Sequence, residues 1–302
     1  MRAGIVILPD ERWSVAARRW RLAEEYGFAH AWTYDHLGWR SLVDGPWFDA
    51  IPTLTAAAQV TSRIRLGTLV ASPNFRHPVP FARQVTALDD ISGGRILLGV
   101  GAGAAGTSFD ATVLGQPELT PKAQADRYQE FLELLDRLLV SADPAAPATR
   151  ENRVTWRGEY YSAVAARSTP GCVQSPRVPF IVAANGPRSR RLAARFGQGW
   201  VTTGGPSEDL DGWWRVVADS AQRFTDALHT AGRDPSSVDR YLSLDASPVY
   251  SLSSVAAFTD AVGRAGELGF TDVVTHWPRR DDWYAGDEAV LEAVAAEVLP
   301  TL

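Results

Sequence analysis

The sequence predicts a (β/α)8 TIM barrel, an α/β fold running as one domain over residues 1–302, and three observations carry that expectation. Short β-branched or apolar runs alternate with longer stretches of helical period. Eight such units fit the 302 residues, as a closed parallel barrel requires. The segments richest in chemistry each follow directly on a strand, where the C-terminal rim of a barrel would lie.

Taken in order, "RAGIVIL" is the first strand and leads into "SVAARRWRLAEEY", a helix that Gly27 is suited to end. "HAWTY" leads to "FDAIPTLTAAAQV", "IRLGTLV" leads to "PVPFARQVTALDDI", and "RILLGV" is the fourth strand. An insertion follows, a helix plus a hairpin between strands four and five. Its helix starts at Thr120-Pro121, a cap residue and then proline at the first helical position. Tyr128, Phe131, Leu132, Leu135, Leu138 and Leu139 recur on one face and read as core packing. "ADPAAPATREN" is a polar linker, and "VTWRGEYYSAV" reads as a hairpin turning at Arg157-Gly158. "PFIVAAN", "GWVTT", "RYLSLDA" and "DVVTHW" complete the eight strands, and "DEAVLEAVAAEVL" is the closing helix.

Composition narrows the function classes. Apolar residues make up 45% of the chain, ample for a large core, and a net charge of −5 with interspersed signs offers no basic block for nucleic acid or an anionic membrane. Lys122 is the only lysine, so Schiff-base chemistry has one candidate, and that one opens a solvated helix turn. Cys172 is alone, which removes a disulfide framework and thiolate clusters and fits a reduced cytoplasm. The apolar run in "MRAGIVILPDERW" is too short for a signal peptide, and no run reaches the roughly 18 residues of a membrane span.

"GVGAGAAG" holds Gly101, Gly103 and Gly106 in the spacing of a dinucleotide fingerprint. Its context is wrong for a Rossmann fold, because no helical period follows Gly106 and Asp126, at the right distance for the ribose acid, lies within the amphipathic helix. The glycines instead suit a loop that approaches a flat ligand at a barrel mouth.

"WTYDHLGWR" places Asp35 and His36 just past the second strand. His36 is the first candidate for acid–base work, with the adjacent carboxylate of Asp35 able to orient it. His77 precedes a helix-initiating proline and reads as a loop or capping residue; His30, His229 and His276 show no metal spacing, so no metal is expected. In "PFIVAANGPRSRRLAARFG" a strand tip at Asn185-Gly186 meets a helix start, a ready anion site to which Arg188 adds charge. Thr68 to Asn74 cross from strand three into its loop. Trp32, Trp39, Trp47 and Trp277 are expected to wall an apolar substrate pocket.

These segments resemble the bacterial luciferase-like family of flavin- and deazaflavin-dependent oxidoreductases. The resemblance rests on "YDHL", "RHPVPFARQVTALDDISGGRILLGVGAG", "VAANGPRSRRLAARFGQGW" and the ending "EVLPTL", and extends over nearly the whole chain. It implies a (β/α)8 barrel in which His36 is the acid or base beside a cofactor ring. It also implies a bulge with a non-proline cis peptide at Leu69-Val70, next to Thr68, supporting that ring. Gly101 and Gly103 would line the ring or its chain, and Asn185, Gly186 and Arg188 would hold the cofactor phosphate. Dehydrogenases of the family carry a tryptophan four residues after the histidine and a glutamate after the "GxG" pair; here Trp39 comes one residue early and Ala104 takes the glutamate's place.

The resulting expectation is an oxidoreductase that uses reduced F420 or FMN to transfer hydride to, or oxygenate, a small organic substrate. F420 is favoured because "ANGPR" resembles the deazaflavin form of the phosphate loop. An FMN-dependent monooxygenase proper, a flavin-binding barrel without turnover, and a homodimer all stay open.

Overall fold

The computed structural model describes residues 1–103, 108–140 and 153–302. Eight parallel strands close into a barrel: β1 (Arg2–Val6), β2 (His30–Thr33), β3 (Arg65–Ala71), β4 (Ile96–Val100), β7 (Phe180–Ala183), β8 (Gly199–Thr202), β9 (Asp239–Ser243) and β10 (Asp272–His276). β10 pairs with β1 from Arg2 opposite Asp272 to Val6 opposite His276, which shuts the sheet on itself and excludes a Rossmann sheet. The helices between strands include α1 (Trp13–Glu25), α2 (Ala50–Val60), α3 (Pro78–Ser92), α6 (Pro187–Phe196), α7 (Leu210–Thr230), α8 (Val255–Glu267) and α9 (Glu288–Glu297).

The local signals place these elements as the chemistry requires. His77 caps α3, its Nδ1 accepting the Val79 N–H at 3.2 Å, and Gly93 ends the helix at φ +65°. The insertion consists of α4 (Phe109–Val113), α5 (Pro121–Val140) and a hairpin of β5 (Val154–Arg157) and β6 (Ser162–Ala166). Every residue of the α5 stripe is buried, each large side chain contributing about 1.5–3 kcal/mol by transfer from water. The Glu130 carboxylate accepts the Trp156 indole N–H and the backbone N–H groups of Glu159, Tyr160 and Tyr161, which fastens the hairpin to α5. The linker "ADPAAPATREN" and the stretch Ala104 to Gly106 lie outside the described residues.

Side-chain alternation sorts the barrel into an inner stack and an outer shell. Val6, Trp32, Leu97, Ile181, Val201, Tyr241 and Val274 pack together inside; the larger cluster joins the outer strand faces to the helices. At the lower end His30 accepts the Trp32 indole N–H at Nδ1 (2.7 Å), which leaves Nε2 to donate to Asp272 at 3.0 Å. Arg2 forks onto the same carboxylate. Among the described residues no helix is long and apolar enough to cross a membrane.

Candidate active site

The upper rim is where the sequence-marked segments converge. His36 follows β2, and its ring Nδ1 lies 2.7 Å from Oδ2 of Asp110, at the start of α4. The other oxygen of Asp110 accepts the backbone N–H of Leu37 at 2.7 Å, so the carboxylate is fixed from two sides while it is almost wholly buried. An ionised carboxylate only accepts, so Nδ1 carries the proton and Nε2 is the exchangeable nitrogen on a side chain 21% exposed. Trp47 donates its indole N–H to the His36 carbonyl at 2.8 Å and locks the loop.

Asp35 does not take the part expected of it. Its carboxylate receives both Nε (3.0 Å) and a terminal nitrogen (2.5 Å) of Arg76 and is 1% exposed. Burial pushes its carboxyl upward and the Arg76 fork opposes that push. Adjacent residues of an extended chain point to opposite sides, so only one of the "DH" pair reaches the mouth. Asp110, in an interval with no readable period, supplies the carboxylate instead.

The same rule corrects two of the four tryptophans. Trp32 faces inward one layer too low, wedged against Gly67 and edge-on to Tyr241 at 5.9 Å, and is part of the barrel floor. Trp277 faces outward, stacks on Tyr26 at 6.2 Å and donates its indole N–H to Glu288. Trp39 and Trp47 stand at the mouth. Trp39 joins Tyr34, Trp283 and Tyr284 in one aromatic wall, with centroid distances of 5.1, 5.5 and 6.1 Å.

The end of β3 offers a candidate cradle for a flat ring. The Leu69–Val70 peptide is cis, and the β3–β4 register shifts between Thr68 and Ala71. The Thr68 hydroxyl donates to the Gly99 carbonyl at 2.8 Å, so it braces the bulge. A Cβ at Gly101 would clash with Val70 at 2.6 Å, and one at Gly103, held at φ +82°, with Asn74 at 2.3 Å; glycine at both positions lets those two side chains pack against the backbone that follows β4. The third part is the turn before α6. Asn185 is committed to Thr202 and Thr203 through its amide, and the Gly186 N–H bonds the Ser189 hydroxyl at 3.2 Å. These bonds shape the turn that precedes α6. Arg188 is anchored by Asp126 (2.5 Å) and Gln129 (2.9 Å), which brings to the site the one acid that the sequence reading had set aside. Arg190, which the sequence did not single out, donates to the Asn185 carbonyl, and its Nε is buried with no partner among the described residues. A bulged strand end beside glycines, an aromatic wall and a cationic helix start fit a ring cofactor that bears a phosphate.

Sequence reasoning also missed an inner chain of polar groups at the rim. His276 ends β10; its Nδ1 is 2.8 Å from Asp245 and its Nε2 is 2.8 Å from the Tyr34 hydroxyl, which lies 2.9 Å from that of Tyr284. Alternation along "DVVTHW" was the available signal, since Asp272, Val274 and His276 share the inward face.

A closed barrel whose rim carries a carboxylate-held histidine fits the cofactor-dependent oxidoreductases. The chain belongs to the luciferase-like monooxygenase family, whose profile matches residues 1–281. It is 31% identical to the F420-dependent glucose-6-phosphate dehydrogenase of Beutenbergia cavernae, over 93% of this chain and 91% of that one. A solved F420-dependent secondary alcohol dehydrogenase in complex with an F420–acetone adduct shares the fold at TM-score 0.78 and 18% identity, with 98% of each chain covered. So does a monooxygenase from Streptomyces bottropensis, at TM-score 0.76 and 21% identity over 100% of this chain and 99% of that one. The chain is thus a luciferase-like oxidoreductase that works with F420 or FMN.

Proposed function

We propose that this chain is an F420-dependent oxidoreductase that moves hydride between the deazaflavin and a small hydroxyl- or carbonyl-bearing substrate, in a reduced cytoplasm. The deazaflavin, when bound, supplies or takes the hydride at its ring. What carries the reading is the His36–Asp110 pair at the rim, a histidine whose proton inventory is fixed at Nδ1 and open at Nε2. Leu69, Val70, Gly101 and Gly103 would seat the ring, and Arg188 with Arg190 would face its phosphate. Trp39 and Trp47 would exclude water over the reacting atoms. Cys172 is half-buried, and burial pushes its thiol up, so it is an inert packing group with no part in the chemistry.

Titrating the protein separately with F420 and with FMN, then adding each reduced form in air, tests the assignment. Tight F420 binding without oxygen consumption is expected. Tight FMN binding with oxygen uptake and no measurable affinity for F420 would overturn it.

A further inference from the structure

The chain Tyr284–Tyr34–His276–Asp245 is built like a wire with one end buried and one at the mouth. Asp245 is 1% exposed in its side chain and is held by three donors besides the imidazole: Oδ1 accepts the Ser251 N–H at 2.8 Å, and Oδ2 accepts the His276 N–H at 2.7 Å and the Thr275 hydroxyl at 3.1 Å as well as Nδ1. With Nδ1 donating to that carboxylate, a neutral His276 has one lone pair, at Nε2, and only the Tyr34 O–H reaches it. Tyr34 then has an oxygen left to accept, and the Tyr284 O–H fills it. Every hydrogen bond in the series therefore points inward, toward Asp245. The Tyr284 ring lies flat on the His276 imidazole at 3.6 Å and 9°, a face on which an imidazolium would be favoured. Both phenols, like Leu69 and Val70 of the cis peptide, pack against the inner stack of the barrel.

We propose that these four residues form a second proton device of the site, separate from His36, in which the Tyr284 hydroxyl takes the proton of a substrate hydroxyl and the relay stores it on His276. The inference rests on the hydride-transfer reading above and deepens it. Hydride exchange with a two-electron ring changes the proton count at the substrate oxygen and at the ring, so two acid–base devices have two tasks. The steps balance as three hops. The substrate O–H proton moves to the Tyr284 oxygen, the Tyr284 proton to the Tyr34 oxygen, and the Tyr34 proton to His276 Nε2. Each hop breaks one O–H bond and forms one O–H or N–H bond. The substrate is left as an alkoxide and the imidazolium is paired with the Asp245 carboxylate; an oxidised deazaflavin, when bound, would be the acceptor of the hydride that the alkoxide carbon gives up as its carbonyl forms. Reduction runs the hops in reverse.

The groups around the relay are consistent with that direction. Burial holds the Tyr34 phenol far above its ordinary range and Tyr284 at about 12, so neither rests as a phenolate and both serve as conduits. Arg40 and Arg279 lie near enough to Tyr284 to draw it down, Tyr250 donates to the His276 carbonyl at 2.7 Å, and the His36 ring stands edge-on to Tyr34 at 6.1 Å.

Histidine-selective ¹⁵N NMR on the whole chain without cofactor tests the relay, with 2,2,2-trifluoroethanol as a small hydroxyl probe. In the wild type His276 should carry its proton on Nδ1, and the probe should move the Nε2 resonance. Tyr34→Phe should lower the proton affinity of His276 about tenfold or more, because the imidazolium loses its acceptor. Tyr284→Phe should leave the tautomer in place and abolish the response to the probe. An Nε2 resonance indifferent to Tyr34→Phe, or a probe response unchanged by Tyr284→Phe, would overturn the proposal, and the second variant carries the test alone should the first fail to fold. Failure of F420 to bind, with the NMR coupling intact, would instead sink the hydride-transfer reading and leave the relay standing.

Discussion

Asp110 and His36 are separated by 74 positions in the chain and by 2.7 Å in the barrel rim, and this contact engages Nδ1 and leaves Nε2 as the other ring nitrogen. Because Asp110 also takes the Leu37 N–H, the loop after β2 and the first turn of α4 are joined before any ligand arrives.

His36→Ala should lower turnover by about 10²–10⁴-fold, the usual share of a general acid–base group, with cofactor affinity little changed. Asp110→Asn should cost less and act differently. Losing the negative charge disfavours the imidazolium, so the limb of the pH–rate profile that reports it should move to lower pH. Steady-state kinetics over pH checks both, and a profile identical to wild type in the Asp110 variant would remove that residue from the site.

Asp35→Asn should damage the fold and spare the pH profile. Removing one partner of a buried ion pair typically costs about 3–5 kcal/mol, here moderated by the second contact of Arg76 with Asp49 at 3.0 Å. Chemical denaturation should show a large drop in stability, while the surviving folded enzyme keeps its pH dependence.

Arg188→Ala should weaken F420 binding by about 1.5–3 kcal/mol, the worth of a charge-assisted hydrogen bond to phosphate. An unaltered dissociation constant in a fluorescence titration would assign the phosphate to other groups, Arg190 first among them.

Acid should unfold the protein through two carboxylates far from the rim. Burial pushes Glu24 up, but the N–H groups of Ile64, Arg63 and Ser62 more than offset this and hold it at about 2, against an ordinary 4.5. Asp272 is also buried, yet the hydrogen bonds from His30 and Arg2 keep it below its ordinary range. A depressed carboxyl stabilises the fold at pH above its unfolded value and loses that contribution as pH falls through the folded one. The loss attributable to Glu24 should therefore run from about pH 4.5 down to about 2, and Glu24→Gln should flatten it in an acid denaturation series.

Tryptophan substitutions should separate the two roles that one residue type plays here. Trp277→Phe should lower stability with KM unchanged, because its ring packs against Tyr26 and bonds Glu288. Trp39→Ala should raise KM, because it opens the wall that includes Tyr34 and Tyr284.

Eight strands, the insertion, the α5 stripe and the caps at His77 and Thr120 were legible because each is written in near neighbours: alternation, helical period, a cap beside a proline. The position of His36 near the barrel rim was legible for the same reason, as a titratable residue three positions past the end of β2. What no local pattern specifies is the company a side chain keeps across the barrel. Closing eight strands brings Asp110 to His36, Arg76 to Asp35, Asp126 to Arg188, and Asp245 with His276 to Tyr34, pairs separated by up to 242 positions. The closure also fixes which layer each inward residue occupies, so that Trp32 becomes floor and Tyr34, two residues on, becomes rim. The sequence by itself determined the barrel and the segments that reach its mouth; tertiary structure alone decided which carboxylate serves which histidine, because only the closed sheet sets those distances.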